Sequence, residues 1–151
     1  MLLVSGCVYF NTFYLAKKNF NEAEDKREKI GAEEAVGGSS GQYQTAIEKS
    51  LKVITEHPDS KYVDDALFII GKSYYHLGDF SKAERKFREL LAAYPESDYY
   101  DRSLFYLGKC RLKMEEFILA RQSFIQVDSI TDNEKWKAEA QYMIGEIEFN
   151  E

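Results

Sequence analysis

Residues 58–71 read PDSKYVDDALFIIG, and residues 95–108 read PESDYYDRSLFYLG. The second stretch repeats the first at an offset of 37 residues, so that an aromatic residue, a Leu-Phe pair and a closing glycine fall at matching positions. The offset continues outward, since Phe80 matches Phe117 and Phe87 matches Phe124. A unit that recurs from about residue 43 to the end of the sequence indicates an array of similar structural repeats.

Each unit has the pattern of a helix hairpin. Phe80, Ala83 and Phe87 keep the spacing of one apolar helix face, and Gly78-Asp79 before them suits the end of one helix and the start of the next. Because a lone hairpin cannot bury its apolar stripe, the hairpins must stack. The sequence therefore predicts an all-α solenoid of antiparallel helix hairpins with about seven helices. We expect them near residues 9–30, 43–56, 60–77, 80–94, 98–114, 117–128 and 133–149.

These residues resemble the tetratricopeptide repeat family. The first complete unit keeps, in the family's order and spacing, Leu67, Gly71, Tyr74, Ala83, Phe87 and Pro95. The next unit has Arg111 where the family has a tyrosine and Asp132 where it has a proline. The family's usual period is about 34 residues, and the longer period here is similar to that of the outer-membrane β-barrel assembly lipoprotein and of Tol-Pal-associated repeat proteins. The resemblance also implies that Gly71 and Gly108 lie where two helices approach closely.

The amino end, MLLVSGC, resembles the end of a bacterial lipoprotein signal. In such a lipobox a small residue precedes a cysteine that becomes lipidated. A complete signal also needs a basic segment and a longer apolar run, so we interpret residues 1–7 as a truncated signal and residues 8–151 as the repeat domain. The alternative is that Cys7 is an ordinary cysteine at the start of a helix.

Two further regions lead to expectations about the limits of the repeat array. The stretch Gly31–Gln42 includes Gly37-Gly38-Ser39-Ser40-Gly41, whose composition is typical of a flexible linker. Near the carboxyl end, Ile144, Ile147 and Phe149 have no following helix in the sequence to cover them. We therefore expect the repeat domain to continue beyond residue 151.

Composition and motifs exclude several kinds of site. The 20 Lys and Arg against 26 Asp and Glu give a net charge of −6, which argues against a nucleic-acid partner because phosphates require a basic face. No sequence motif of a nucleotide, zinc or nucleophile site is present. Two histidines and two cysteines are too few for a His-rich metal site or a disulfide framework. We expect no cofactor, no metal and no small-molecule substrate, and we interpret His57, His76 and Cys110 as structural.

In the family, the first helix of each hairpin lines a concave groove, and the resemblance implies the same for this chain. Carried over position by position, the peptide-binding groove consists of Asp65, Phe68, Lys72, Tyr75, Arg102, Phe105, Lys109 and Lys113. Its middle is aromatic and basic, which suits an extended peptide with aromatic side chains and a carboxylate. The alternative is that these are ordinary exposed helix residues. The family's asparagine-and-lysine carboxylate clamp is not matched.

The leading functional hypothesis is a non-enzymatic scaffold that binds a protein or peptide. Lipid on Cys7 would anchor it to the bacterial outer membrane, facing the periplasm, and the resemblance implies a role in outer-membrane protein assembly or envelope biogenesis. Two alternatives stay open. One is a soluble cytoplasmic adaptor without lipid, and the other is the helical arm of an enzyme whose catalytic domain lies outside this sequence.

Overall fold

The computed structural model describes the backbone of residues 3–30 and 35–150, and the side chains of residues 10–29 and 39–149. Over these residues the chain forms seven helices and no strand, which confirms the predicted all-α class and helix count. The helices are α1 (Leu3–Ile30), α2 (Ala35–Glu56), α3 (Val63–His76), α4 (Phe80–Ala93), α5 (Tyr100–Lys113), α6 (Phe117–Ile130) and α7 (Glu134–Asn150).

The chain divides into two compact units, Met1–Asp79 and Phe80–Glu151. Within each unit, consecutive helices pack antiparallel. In the second unit, Ser81 on α4 contacts Met114 on α5, and Glu84, three residues later, pairs with Arg111, three residues earlier. Because the residue number of the partner on α5 falls as the residue number on α4 rises, the two helices run antiparallel.

The described part of the stretch Gly31–Gln42, residues 35–42, is not the flexible linker that its composition predicted. Helix α2 begins at Ala35, so the glycine- and serine-rich segment is helical. Ser39 is fully buried, and its hydroxyl lies 3.5 Å from the carbonyl oxygen of Ala23 on α1. Packing against α1 therefore outweighs the roughly 1 kcal/mol by which each glycine disfavours a helix. Residues 31–34 lie outside the described part of the chain.

Helix α1 begins at Leu3, six residues before the predicted start. The backbone of Cys7 is therefore helical, but its side chain lies outside the described residues, and lipidation stays a prediction. Among the described helices, none combines the length and apolar character that a membrane span requires.

The end of α7 differs in part from the expectation that its apolar residues lack cover. Ile147 is only 2% exposed, because α7 packs on α6 and this side chain is enclosed, so the expectation for Ile147 was wrong. Phe149, by contrast, is 91% exposed.

Candidate functional site

The predicted groove residues lie on α3 and α5, with one set in each compact unit. Two of the predicted aromatic residues are buried, and the predicted cations have different surroundings on α3 and on α5. Phe68 and Phe105 are 5% and 2% exposed, so neither presents a ring face to a ligand. The Phe105 ring lies 5.4 Å from that of Phe124 on α6 and 5.0 Å from that of Trp136 on α7. Phe105 is therefore a core residue that joins three helices, which corrects its expected role as an aromatic shelf.

Lys72 is engaged within its own unit. Its ammonium group pairs with the Glu24 carboxylate on α1 and lies 5.4 Å from the centre of the Phe20 ring. Only 17% of the Lys72 side chain is exposed. Its charge is thus compensated inside the first unit, so Lys72 is poorly placed to attract an anionic peptide.

Glu24 is the centre of a polar cluster that links α1, α2 and α3. We call Glu24, Tyr43, Lys72 and His76 the Glu24 cluster. The Tyr43 hydroxyl donates to the carboxylate at 2.6 Å, and His76 Nε2 lies 3.1 Å from the same oxygen. Burial alone would raise the pKa of Glu24, but the hydrogen bond from His76 and the charge of Lys72 outweigh it and lower this pKa to about 2.

The cluster is suited to holding helices together rather than to catalysis. Burial lowers the pKa of His76 against the opposing influence of Glu24, so the imidazole stays neutral near pH 7. The His76 side chain is 3% exposed and packs beside the Tyr43 ring, 5.2 Å away between centres. A general acid or base must reach a substrate, and this imidazole is enclosed. Among the described residues, no group of three His, Cys, Asp or Glu side chains could hold a metal ion.

The other three cations of the predicted groove lie on α5. Arg102, Lys109 and Lys113 follow one helical stripe, being seven and then four residues apart. Arg102 is part-exposed with its guanidinium 4.6 Å from the Tyr99 ring, and Lys113 is exposed. Lys109 lies 5.4 Å from the centre of the Tyr106 ring. An aromatic ring thus lies within cation–π distance of each of the first two cations.

Arg102 also lines a cleft of about 310 Å³ at the amino ends of α5 and α7. The residues around this Arg102 cleft are Asp98, Asp101, Arg102, Asn133 and Trp136. The Asn133 side-chain oxygen accepts hydrogen bonds from the amides of Lys135 and Trp136 at 3.1 and 3.3 Å, which caps α7 and fixes one wall. The groove prediction found Arg102 but missed Trp136 and Asn133. A capping asparagine before α7 was the available signal.

Residues 65–97 match a family model, the tetratricopeptide repeat. The matched segment contains α3, α4 and the turn between them, together with all six residues that carry the resemblance in the first complete unit. The match supports the tetratricopeptide resemblance and, with it, a protein-interaction scaffold. No curated protein matches the chain, and the likeness to outer-membrane lipoproteins stays a prediction.

Two other tetratricopeptide positions have a clear role in the second unit. A Cβ atom added to Gly108 would lie 2.8 Å from the ring of Phe124, which confirms that glycine permits a close helix approach there. Arg111, which replaces the family's tyrosine, pairs with Glu84 on α4 at 3.2 Å and donates to the Ser123 hydroxyl on α6 at 2.8 Å. Cys110 is a buried free thiol, and burial raises its pKa to about 12.

Proposed function

We propose that this protein is a non-enzymatic scaffold that binds an extended peptide segment of a partner along α5. The observation that carries the proposal is that Arg102 both lines the cleft and begins the helical stripe that continues to Lys109 and Lys113. The tetratricopeptide match at residues 65–97 supports a role in protein binding, because repeat arrays of this kind use their helix faces as extended binding surfaces.

The chemistry of the Arg102 cleft defines a ligand with both an aromatic group and a carboxylate. Trp136 offers a partly exposed indole for an apolar or aromatic side chain. Arg102 can receive a carboxylate through a forked pair of hydrogen bonds. Asp98 and Asp101, which also line the cleft, can accept hydrogen bonds from peptide N–H groups or from a basic side chain. A peptide that ends in an aromatic residue supplies these groups together.

Titration of such a peptide against single variants tests the proposal. We expect Trp136→Ala or Arg102→Ala to weaken binding by about tenfold or more, since central aromatic and arginine side chains dominate such contacts. Arg88→Ala is the matched control, because Arg88 is an exposed cation on α4 of the same unit. Equal affinity for all four proteins would place the partner elsewhere. Phe105→Ala is not a suitable variant for this test, because loss of that buried ring would disturb the core.

We further propose that the scaffold is lipid-anchored through Cys7 on the periplasmic face of the bacterial outer membrane and serves envelope biogenesis, most directly outer-membrane protein assembly. The support is the small-small-Cys order of Ser5-Gly6-Cys7 behind an apolar run. In bacteria that express the protein, Cys7→Ser should move it out of the membrane fraction. Cys110→Ser, at the buried thiol, serves as the control and should stay with the membrane. If wild type and Cys7→Ser fractionate alike, the anchor is absent.

A further inference from the structure

Helix α6 has an exposed side without charged residues, on which aliphatic side chains predominate. Five of the ten exposed large apolar residues in the described part of the chain lie on this helix, and among them Ile118 is 72% exposed and Ile125 45% exposed. Grouped apolar side chains at the surface of a folded domain mark an interaction site. We call the following seven exposed residues the outer face of α6: Ile118, Leu119, Gln122, Ile125, Gln126, Ser129 and Ile130.

The repeat itself leaves this face uncovered. The offset of 37 residues maps the seven residues onto seven positions of α4, and all seven are exposed there although two further helices follow α4 in the same unit. Among the described residues, α4 and α6 do not touch. Helices at this place in successive repeats therefore do not cover one another, and the outer face of α6 lies at positions that packing within the array leaves open.

The outer face of α6 differs from its counterpart on α4 in charge. The matching positions of α4 carry four charged side chains, Lys82, Arg85, Arg88 and Glu89, which is the ordinary composition of an exposed helix face. The outer face of α6 carries none. Covering it with another protein surface therefore removes apolar area from water without the cost of burying a charge.

The residues of the outer face are arranged almost symmetrically about Phe124, as pairing with an identical helix requires. Ile118 and Ile130 lie six residues from Phe124, and Gln122 and Gln126 lie two residues from it. When a two-fold axis at this level relates two antiparallel helices, residues equidistant from the axis meet. Isoleucine then packs on isoleucine, and glutamine meets glutamine. A glutamine amide both donates and accepts hydrogen bonds, so it can pair with an identical group.

Two charged residues at one border of the outer face favour the antiparallel orientation. Arg121 pairs with Glu148 on α7 at 2.6 Å, and Asp128 accepts a hydrogen bond from Gln141 on α7 at 2.8 Å, so both lie on the side toward α7. Antiparallel pairing brings Arg121 of one copy near Asp128 of the other, whereas parallel pairing would bring like charges together. The Arg121 side chain is 45% exposed, and a guanidinium has further N–H groups for a second carboxylate.

We propose that two copies of this protein associate through the outer face of α6, with the two helices antiparallel. The net charge of −6 opposes contact between two copies elsewhere, and the repulsion is smallest where both surfaces are uncharged. Helix α6 has 14 residues and is about 21 Å long. The paired faces are therefore smaller than the roughly 800 Å² per partner of a standard interface, and we expect a weak, micromolar dimer. The Arg102 cleft is a different surface, so the inference does not depend on peptide binding.

Sedimentation equilibrium of the chain in reducing buffer, from about 1 µM to about 1 mM, tests the proposal. Wild type should show a monomer–dimer equilibrium. Ile125→Glu should raise the dissociation constant by about tenfold or more, because each copy then buries a carboxylate against the other. Arg88→Gln is the matched control, since Arg88 is the exposed counterpart of Ile125 on α4 and the variant changes the net charge by the same amount. It should dimerise like wild type, and both variants should keep the wild-type circular dichroism.

Reversing one charge at a time tests the antiparallel arrangement. Arg121→Asp alone and Asp128→Arg alone each place like charges opposite one another in the dimer, so each variant should dimerise at least about tenfold more weakly than wild type. An equimolar mixture of the two variants restores opposite charges at both contacts. The mixture should therefore form a heterodimer, a result that loss of folding in either variant cannot produce.

Three results would contradict the proposal. Wild type that stays monomeric up to about 1 mM would overturn it and leave the outer face of α6 to an unlike partner. A dimer that Ile125→Glu and Arg88→Gln weaken equally would place the contact elsewhere and overturn it as well. A dimer that is sensitive to Ile125→Glu but is not restored in the mixture of charge variants would overturn the antiparallel arrangement.

Discussion

The two compact units join three helices by polar contacts that are built differently. In the first unit, the Glu24 carboxylate on α1 pairs with Lys72 on α3 and accepts a hydrogen bond from the Tyr43 hydroxyl on α2. In the second unit, Arg111 on the middle helix reaches both neighbours, Glu84 on α4 and Ser123 on α6. The two units therefore share the spacing of their apolar residues, but the polar side chains that connect their helices lie at different positions of the repeat.

The lysines at matching positions show the consequence. Lys72 on α3 is paired with Glu24 and is a core component, whereas Lys109 on α5, 37 residues later, is part-exposed and lies over the Phe105 and Tyr106 rings. The same repeat position is therefore paired with a carboxylate in the first unit and placed against two aromatic rings in the second.

Glu24→Ala should lower the free energy of unfolding by about 3–5 kcal/mol, since it leaves the largely buried Lys72 charge without its partner. Glu22→Ala is the matched control on the same helix, because Glu22 forms an exposed pair with Lys18 at 3.9 Å and such pairs contribute about 0–1 kcal/mol. Urea unfolding followed by circular dichroism measures both. A similar, small effect of the two variants would remove the Glu24 cluster as the link of the first unit.

The Glu24 cluster should also make the first unit sensitive to acid. Glu24 has a pKa of about 2 in the folded state against 4.5 unfolded, so its contribution is complete above pH 4.5 and is lost as the pH falls toward 2. The lowered pKa of His76 acts in the same direction, because the unfolded chain binds a proton first as the pH falls through 6.5.

Melting temperatures between pH 7 and 2 check this expectation. The melting temperature of wild type should fall in two overlapping stages, one below pH 6.5 and one below pH 4.5. Glu24→Gln should have a lower melting temperature at pH 7 and should not show the stage below pH 4.5. A variant that retains the wild-type acid profile would show that other carboxylates cause the loss.

Two glycines in the second unit provide a sharper contrast at matching positions. Gly108→Ala should destabilise by about 1–3 kcal/mol, because the new methyl group overlaps the Phe124 ring. Gly145→Ala should instead stabilise by up to about 1 kcal/mol, because the helix gains propensity and the methyl group meets nothing. Thermal unfolding measures the sign of each stability change. Changes of the same sign would show that Gly108 and Gly145 do not differ in how closely neighbouring atoms pack against them.

The repeat register predicted the helices from α3 onward, because local apolar spacing and breakers determine them. It misplaced the start of α2, where contact with Ala23 on α1 overrides the glycine content of the segment. Phe105 was predicted as a ligand-facing residue, since no local pattern shows that Trp136 from α7 covers it. The pairing of Lys72 with Glu24 spans 48 residues, and only the tertiary structure reveals it. For the same reason the sequence predicted Arg102 in the cleft but not Trp136 or Asn133, which come from the start of α7.

The turns that follow α3 and α5 occupy matching positions of the repeat. Gly78 and Glu115 are 37 residues apart and both have positive φ, 82° and 62°. The backbone hydrogen bonds of the two turns also match. The amide of Asp79 donates to the carbonyl oxygen of Tyr74 at 2.9 Å, and the amide of Glu116 donates to that of Arg111 at 2.8 Å. The turns therefore share one geometry, but only the first has the residue that adopts it without steric cost.

Glu115→Gly should consequently raise the free energy of unfolding by about 1 kcal/mol, because a side chain in the left-handed region costs about 1–2 kcal/mol and part of that gain is lost to the freer unfolded chain. Gly78→Ala, the reciprocal change, should destabilise by a similar amount. Urea titration of both variants and of the exposed helical control Gly41→Ala, which should be neutral or stabilising, separates turn strain from helix propensity. If Glu115→Gly destabilises instead, the Glu115 side chain makes a contact whose contribution exceeds the backbone strain, and the two turns are not equivalent.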